Sequence, residues 1–249
     1  MARRAISGLR TLVTGASSGI GEATASLLVG RGSAVVGSGR DAGKLAAGPF
    51  AATVARDLTE PGAPAEVVEA AVKALGGLDV VVSCAGAGWF GRFEDMAPAE
   101  IDAVVDINLR AVLHLAHAAG DHLRASPAQG QLVLVGSIAG LLGVPEEAAY
   151  ATAKAGLRGL ADSLRAEWQP LTVTLVSPGP VDTPFFTRRN RPYMRAWPRR
   201  LPVDEVAQVV VEAIERRRSE VVVPAWLTVP ARFKGALPSL YLALARRFG

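Results

Sequence analysis

Residues 14–21 read Thr-Gly-Ala-Ser-Ser-Gly-Ile-Gly and join the apolar segment Leu9–Val13 to a segment with helical periodicity. Gly15 permits a tight turn, Gly19 lets the backbone approach a pyrophosphate, and Gly21 lets the helix pack closely against the strand. The free N–H groups at the start of such a helix, together with its dipole, attract phosphate. The segment therefore predicts a dinucleotide site, whereas the alternative is a plain strand-to-helix turn. The predicted cofactor contacts of this turn are Gly15, Ser17, Ser18, Gly19, Ile20 and Gly21.

Apolar strands and helices alternate along the rest of the chain. Val80–Ser83 and Leu132–Val135 carry almost only apolar side chains, which is typical of strands buried on both faces in a parallel sheet. The pattern predicts a single α/β domain over residues 1–249, with a doubly wound parallel sheet of about seven strands in a three-layer α/β/α arrangement. Ligands are expected at the carboxyl ends of the strands. The other predicted strands are Ala34–Gly37, Ala52–Arg56, Thr172–Leu175 and Val221–Val223, and the later helices are Pro64–Ala74, Pro98–Ala125 with an interruption near Asp106–Asn108, Tyr150–Trp168 and Val203–Arg217.

Composition and charge restrict the class of protein. Hydrophobic residues make up 50% of the chain and charged residues 20%, which excludes a disordered protein. The net charge is +4, but the arginines cluster in Arg188–Arg200 and Arg216–Arg218 rather than in a nucleic-acid-binding element, so no nucleic acid is predicted as a partner. Cys84 is the only cysteine, which indicates a reducing compartment. Met1–Arg10 lacks the apolar core of a secretory signal, and the sequence predicts a cytoplasmic protein.

The end of the second predicted strand bears on the choice of dinucleotide. An acidic side chain there holds the ribose 2′-hydroxyl of NAD, whereas a basic one favours the 2′-phosphate of NADP. The chain has Gly39 and then Arg40, whose guanidinium is a good phosphate ligand. Asp41 follows at once, and the alternative is that Arg40 is a surface residue while Asp41 caps the next short helix. The sequence favours NADP(H) over NAD.

Four polar residues predict acid–base chemistry. Tyr150 and Lys154 are spaced i,i+4 and face the same side of a helix. A lysine cation lowers the pKa of a nearby phenol, which then exchanges a proton with a carbonyl or alcohol oxygen. Ser137 follows the strand Leu132–Val135 and can hydrogen-bond the same oxygen, and Asn108 can bind a water that links Lys154 to solvent. The simpler alternatives are a solvated helix face, a loop serine and an asparagine bonded to backbone.

Over roughly residues 6–225, the chain resembles the short-chain dehydrogenase/reductase family in its single-domain branch. The family's cofactor turn matches TGASSGIG at residues 14–21, and its catalytic tetrad matches in order and spacing. The matching tetrad residues are Asn108, Ser137, Tyr150 and Lys154. The other matches are Asp57 and Leu58 at the adenine site, Ala85 and Gly86 after the fourth strand, and Pro178, Gly179, Val181 and Thr183 in the loop that holds the nicotinamide.

The resemblance implies a Rossmann fold and hydride transfer between NADP(H) and a carbonyl or alcohol group. In the family's terms, Tyr150 is the general acid or base and Ser137 orients the substrate oxygen. Lys154 binds ribose and tunes Tyr150, while Asn108 supports a proton relay. The tetrad residues therefore also count as cofactor contacts, and the resemblance implies a homo-oligomer, a dimer or tetramer.

Two further details come from the resemblance. Val181 would contact the carboxamide through its backbone, and Thr183 through its side chain. The family usually has asparagine where this chain has Cys84, so weaker local hydrogen bonding is expected there without loss of activity. Cys84 is not expected to act as a nucleophile.

Three stretches are predicted to border the substrate: Ala87–Phe93, Ile138–Pro145 and Phe185–Leu201. Their side chains favour a largely apolar substrate with one reactive oxygen, although several can simply pack the loops together. Residues 185–202 form the predicted lid, whose arginines either attract an acidic group or belong to a solvated loop. Residues 224–249 form an apolar and basic C-terminal extension that covers the cleft or fills a subunit interface. The aromatic and leucine candidates are Trp89, Phe90, Phe93, Leu141, Leu142, Phe185, Phe186, Tyr193 and Trp197.

Alternatives of other classes remain open. One is an NADP-sensing regulatory protein without turnover, although such proteins tend to lose the tyrosine or lysine that this chain keeps. Another is a protein held at a membrane surface by the tail, which is not favoured. His114 and His117 are spaced i,i+3 but lack an obvious third ligand, so no metal is predicted.

Overall fold

A computed structural model describes residues 3–189, 191–194, 198–241 and 243. Its sheet has seven strands, all paired in parallel, in the order β3-β2-β1-β4-β5-β6-β7. The order reverses between β1 and β4, so the carboxyl ends of these two strands border a crevice. The strands are β1 (Arg10–Thr14), β2 (Ala34–Gly39), β3 (Ala52–Ala55), β4 (Val80–Ser83), β5 (Gln131–Val135), β6 (Thr172–Pro178) and β7 (Glu220–Val223).

Helices cover both faces of the sheet. One core contains Val67, Leu115 and Leu157 from three helices, and the other contains Leu28 and Val210 from two more. Strands β4 and β5 are buried along their whole length between these cores. The helices are α1 (Gly19–Gly30), α2 (Ala42–Ala46), α3 (Ala63–Leu75), α4 (Pro98–Val105), α5 (Ala111–Arg124), α6 (Ile138–Leu142), α7 (Ala148–Glu167), α8 (Phe185–Arg188), α9 (Val203–Glu215) and α10 (Thr228–Ala236).

The predicted fold class is confirmed: the structure is a doubly wound, seven-stranded parallel sheet between helix layers. The helix predicted over Pro98–Ala125 is interrupted where expected, because Asp106–Arg110 form a π-helical turn between α4 and α5. Helices α6 and α8 were not predicted. They span five and four residues, which is too short for a periodic pattern to be recognised.

An ion pair joins the amino ends of β1 and β4, at the opposite end of these strands from the crevice. The carboxylate of Asp79 accepts hydrogen bonds from the backbone N, Nε and NH2 of Arg10 and from the hydroxyl of Ser126. The pKa of Asp79 is lowered to about 2: burial opposes the shift, but these hydrogen bonds and the Arg10 charge outweigh it. The pair holds the starts of β1 and β4 together.

The C-terminal extension packs against the predicted substrate loop. Nζ of Lys234 in α10 donates to the carbonyl oxygens of Leu141 and Leu142, 3.2 and 2.7 Å away, at the end of α6. Trp197 and Arg195 of the predicted lid, Asn190, and the tail residues Leu242 and 244–249 lie outside the described residues. Within the described part of the chain, no helix has the length and apolar character needed to cross a membrane.

Candidate active site

The glycine-rich turn fits tightly between the ends of β1 and β4. Gly15 has a φ of 71°, and a Cβ on it would lie 2.9 Å from the backbone N of Ala85. A Cβ on Gly21 would lie only 2.3 Å from the carbonyl oxygen of Gly15. Side chains are therefore excluded at both positions, as the sequence predicted for a close approach of backbone.

Thr14 fixes the distance between the two strands at the crevice. Its buried hydroxyl accepts hydrogen bonds from the backbone N–H groups of Cys84 and Ala85, at 3.1 and 3.3 Å. This role was not predicted, because a threonine at the end of an apolar strand carries no sequence signal of its partners. Cys84 keeps its backbone hydrogen bond, and burial raises the pKa of its thiol to about 12 against the influence of Lys154. A thiol with a pKa raised this far stays protonated at neutral pH.

The start of α1 presents its N–H groups to the crevice. Ser18 is the N-cap residue, but its side chain makes no capping hydrogen bond within the described chain. Its hydroxyl instead accepts a hydrogen bond from Arg188 in α8, at 3.2 Å. A Cβ on Gly19 would lie 3.2 Å from the side chain of Thr183, so the loop after β6 comes directly over the turn. An uncapped helix N-terminus beside these groups fits a bound pyrophosphate.

The loop predicted to hold the nicotinamide leads from β6 across the crevice. Gly179 donates its N–H to the carbonyl of Val223, 2.7 Å away, and Val181 forms a bridge with Leu201. Pro178 is the last residue of β6. Of the two predicted carboxamide contacts, Thr183 has its side chain beside Gly19 of the glycine-rich turn. Val181 is buried and paired with Leu201, and the role of its backbone stays a prediction.

The end of β2 carries the residues that bear on the choice of dinucleotide. The side chain of Arg40 is 73% exposed, and its NH1 lies 3.8 Å from Oδ2 of Asp57. Hydrogen bonds from Thr59, with the Arg40 charge, lower the pKa of Asp57 despite its partial burial. The side chain of Asp41 accepts a hydrogen bond from the N–H of Lys44 and caps α2, as the alternative interpretation held.

Leu58, a predicted adenine contact, has its side chain in the hydrophobic core beneath α3 rather than at the crevice. Its side chain therefore supports the sheet, and a contact with a ligand at this position would use the backbone.

Asn108 is fully buried in the π-helical turn. Its Nδ2 donates to the carbonyl oxygens of Ala87 and Val104, at 2.6 and 2.8 Å. Its Oδ1 has no hydrogen-bond partner among the described residues. A Cβ on Gly86 would lie 2.6 Å from this oxygen and 3.5 Å from Nζ of Lys154. Asn108 thus bonds to backbone, as the simpler alternative held, and also turns a free acceptor toward Gly86 and Lys154.

Tyr150, Ser137 and Lys154 come together beside the end of β5. Ser137 hydrogen-bonds the phenol of Tyr150 and also caps α6 by accepting from the N–H of Ala139. Nζ of Lys154 donates to the carbonyl of Val135 at 3.0 Å and lies 5.8 Å from the ring centroid of Tyr150. The geometry therefore places a phenol, a hydroxyl and an amine around one point.

The pKa values of the tyrosine and lysine differ from expectation. Burial raises the pKa of Tyr150, and the Ser137 hydrogen bond opposes the rise only in part. Burial also lowers the pKa of Lys154, to about 8. The expected lowering of the Tyr150 pKa is therefore wrong for this state, because burial of the phenol dominates its pKa and raises it.

Aromatic side chains cover the tyrosine. The ring centroid of Phe185 in α8 lies 5.3 Å from that of Tyr150, and Phe186 and Tyr193 continue the cluster at 5.4 and 5.0 Å spacings. A narrow recess lies beside Tyr150, and in this state it has no free volume for a ligand. Of the residues predicted to border the substrate, Trp89 and Phe93 line this recess. The backbone carbonyls of Leu141 and Leu142 instead accept hydrogen bonds from Lys234. The full lining is Trp89, Gly91, Phe93, Met96, Glu147, Ala148, Ala149 and Tyr150.

Glu147 and Arg189 were not predicted as a pair. The Arg189 guanidinium donates to Oε1 of Glu147, and their side chains are only 3% and 12% exposed. The two residues are 42 positions apart, so no local pattern links them. Within the described residues, no group of three His, Cys, Asp or Glu side chains is arranged to hold a metal.

Comparisons with known proteins match this architecture. A family model described as short chain dehydrogenase matches residues 10–193. A versicolorin reductase of Emericella nidulans is 33% identical over 201 residues, covering 76% of this chain and 75% of that protein. A short chain dehydrogenase/reductase from Burkholderia phymatum, solved in complex with NAD, is 22% identical with a TM-score of 0.83, covering 95% of this chain and 96% of that one. An alcohol dehydrogenase from Thermococcus sibiricus, complexed with 5-hydroxy-NADP, is 25% identical with a TM-score of 0.78, covering 86% and 95%.

Proposed function

The chain belongs to the short-chain dehydrogenase/reductase family, and from that membership we propose that it transfers a hydride between NADP(H) and a largely apolar carbonyl or alcohol substrate. Membership makes it an oxidoreductase that acts on CH–OH or C=O groups. The proposal adds the cofactor, the character of the substrate and the role of Tyr150 as general acid or base. The observation that carries it is the convergence of Tyr150, Ser137 and Lys154 at the crevice.

In the reducing direction, the phenol of Tyr150 gives its proton to the carbonyl oxygen, and Ser137 hydrogen-bonds the same oxygen. The raised pKa of Tyr150 keeps the phenol protonated at neutral pH, as a proton donor requires. In the oxidising direction, the same oxygen must release that proton before it accepts one from an alcohol. Lys154 would carry protons between the phenol and solvent in either direction, through a water held by the free Oδ1 of Asn108.

The residues present fit a nicotinamide dinucleotide, which when bound supplies the hydride chemistry. Gly15 and Gly21 let the turn pack tightly against the protein backbone, Gly19 would let the turn approach a pyrophosphate, and the start of α1 offers free N–H groups. Thr183 and the backbone of Val181 would hold the carboxamide, and Lys154 the ribose. Asp57 would hold the adenine end.

The preference for NADP(H) is proposed from Arg40. The two solved structures carry different dinucleotides, NAD and 5-hydroxy-NADP, so they do not decide the matter. Arg40 is an exposed cation at the end of β2, and the nearest acid after it, Asp41, is occupied in capping α2. The contact of Arg40 with Asp57 is long, at 3.8 Å, so the guanidinium stays available to a 2′-phosphate.

The substrate and assembly are proposed on similar grounds. Trp89, Phe93 and Met96 give the recess apolar walls, which suits an apolar substrate with one reactive oxygen. We propose that residues 1–249 form one domain, that 185–202 are its lid, and that 224–249 close over the substrate loop. A homo-oligomer also belongs to the proposal, and the cytoplasmic location stays a prediction that rests on the single cysteine.

Substitution of Tyr150 tests the function. Tyr150→Phe should lower turnover of a carbonyl substrate by about 100-fold or more, since general acid catalysis contributes that much. Binding of NADPH, followed by nicotinamide fluorescence, should stay within about two-fold of the wild-type affinity because the ring is kept. Tyr241→Phe, in the C-terminal extension, is the matched control and should leave both quantities unchanged.

The outcomes separate the candidate functions. Turnover that survives in Tyr150→Phe would contradict the proposed role of the phenol. Tight dinucleotide binding by the wild type without turnover of any carbonyl or alcohol would favour the nucleotide-sensing alternative. A preference for NADH over NADPH would overturn the assignment of Arg40 and leave the tyrosine chemistry in place.

A further inference from the structure

Arg189 is a buried cation at the end of the lid helix α8. Its guanidinium lies between two aromatic rings, 4.9 Å from the centroid of Phe90 and 4.5 Å from that of Phe186. Its Nε donates to the carbonyl of Arg191, and its NH1 donates to Glu147. A buried arginine costs free energy unless a carboxylate compensates it, so the position of α8 depends on Glu147.

Glu147 lies at the start of the catalytic helix α7, three residues before Tyr150. As the N-cap residue it makes no side-chain capping hydrogen bond in the described structure, because its carboxylate is turned to Arg189. The residue before it, Glu146, has a φ of 66°, a left-handed conformation that non-glycine residues rarely adopt. The strained backbone of Glu146 thus directly precedes Glu147, which also lines the recess.

The ion pair lies close enough to Tyr150 to act on it electrostatically. Five groups face the phenol: Ser137 by a hydrogen bond, Glu147 and Arg189 by their charges, Cys84 directly after β4, and Lys154 one turn along α7. The negative charge of Glu147 disfavours the phenolate, whereas the positive charge of Arg189 favours it. The two charges oppose each other, and the effect of Glu147 on the phenol is the larger of the two.

We propose that Arg189 and Glu147 form a positioning pair that holds the lid helix over Tyr150 and balances the charge beside its phenol. The proposal rests on the proposed function for its catalytic consequence, because Tyr150 must exchange a proton. Its structural part does not depend on turnover. Phe185 belongs to the same helix as Arg188 and packs on the tyrosine ring, so movement of α8 would uncover the phenol.

Glu147→Gln is the first variant to make. Glutamine has nearly the same shape, but it leaves the permanent charge of Arg189 uncompensated beside the phenol. The titration of Tyr150 should shift to lower pH by about one unit, the size typical of an unbalanced neighbouring charge. The double variant Glu147→Gln/Arg189→Met removes both charges and should restore the wild-type titration to within about 0.3 units.

Two readouts need no turnover. The first is the ultraviolet absorbance of tyrosinate, followed as pH rises. The contribution of Tyr150 is the difference between the titration of each variant and that of the same variant with Tyr150→Phe added. The second is the rate at which trypsin cuts within residues 188–191. It should rise about ten-fold in Glu147→Gln, because cleavage follows the population of the open lid. A third readout does need turnover: the pH profile of alcohol oxidation by the holoenzyme should move to lower pH in Glu147→Gln, as the absorbance titration does.

Arg191→Met is the matched control. Arg191 belongs to the same lid and also lies over the ring of Phe90, at 5.0 Å, but it is exposed. Its loss should leave the Tyr150 titration unchanged. An unchanged titration in Glu147→Gln, or equal shifts in the single and double variants, would overturn the proposal. If the lid and titration results hold but the wild type oxidises or reduces no substrate, the pair stands and the proposed function fails.

Discussion

Several ionisable side chains that are buried in the described structure have polar partners. Lys154 donates to a carbonyl and has a lowered pKa, Arg189 meets Glu147 between aromatic rings, and Asp79 meets Arg10. Arg40 is the contrast, since its side chain is mostly in solvent and its contact with Asp57 is long. An exposed arginine with a weak protein partner is available to a ligand at little cost, because no buried pair has to be broken.

Arg40→Ala should therefore discriminate between dinucleotides. NADPH affinity should fall about ten-fold, since a hydrogen bond to a charged phosphate is lost, while NADH affinity should change less than about two-fold. Titrations of both dinucleotides by fluorescence measure this. Arg56→Ala removes a comparably exposed arginine at the end of β3 that pairs with Glu66, and it should alter neither affinity. Equal weakening of both dinucleotides would show that Arg40 does not read the 2′-phosphate.

Among the elements, α1 is the one placed with least tolerance. Its first turn touches the backbone of the glycine-rich turn, since a Cβ on Gly21 would collide with the carbonyl of Gly15. Near its other end, a Cβ on Gly30 would meet nothing within 4 Å. The same helix thus has one glycine required by close packing and one that is free to change.

Gly21→Ala should push α1 away from β1 and destroy the cofactor turn. Dinucleotide affinity should fall at least about 100-fold, and the free energy of unfolding should fall by about 1–3 kcal/mol, as overpacked positions do. Gly30→Ala should instead raise the unfolding free energy by about 0.5–1 kcal/mol without affecting dinucleotide binding. Urea unfolding and fluorescence titration of both variants provide the test. Full dinucleotide affinity in Gly21→Ala would mean that the turn does not bind the phosphates.

The sequence predicted this architecture well because its signals are local. Wholly apolar strands, the glycines of residues 14–21 and the spacing of Tyr150 and Lys154 each lie within a few residues, and together they indicated the sheet and the catalytic corner. The hydroxyl of Thr14 and the pairing of Glu147 with Arg189 depend on chain segments far apart in sequence, so no local pattern revealed them. The sign of the Tyr150 pKa shift was wrong because burial is a property of the folded chain.

At the level of the whole molecule, the two ends of the parallel strands differ in what they hold. The carboxyl ends of the strands border the candidate active site, while Asp79, with Arg10 and Ser126, ties together the amino ends of β1 and β4. Asp79 is only 3% exposed, so this tie should contribute to global stability rather than to activity. Breaking a buried ion pair from one side leaves an uncompensated charge and costs more than the pair itself stabilises.

Asp79→Asn should lower the free energy of unfolding at pH 7 by about 3 kcal/mol. The wild-type carboxyl has a pKa of about 2, below its ordinary value of 3.8, so its contribution is complete above about pH 4 and is lost as pH falls toward 2. Urea unfolding across this range should show about 2 kcal/mol of pH-dependent stability that the variant lacks. Asp121→Asn removes only an exposed pair with Arg124 and should cost almost nothing. Equal behaviour of the two variants would refute the assignment.

The π-helical turn at Asp106–Arg110 has a consequence for how this chain tolerates insertions and deletions. Each residue of a helix turns it by about 100°, so one residue accommodated as a bulge sets the angular offset between α4 and α5. Deleting a single residue there would regularise the helix, yet it would rotate one half against the other and carry the Asn108 amide away from Ala87. A change that improves local helix geometry would thus displace the asparagine from the candidate active site.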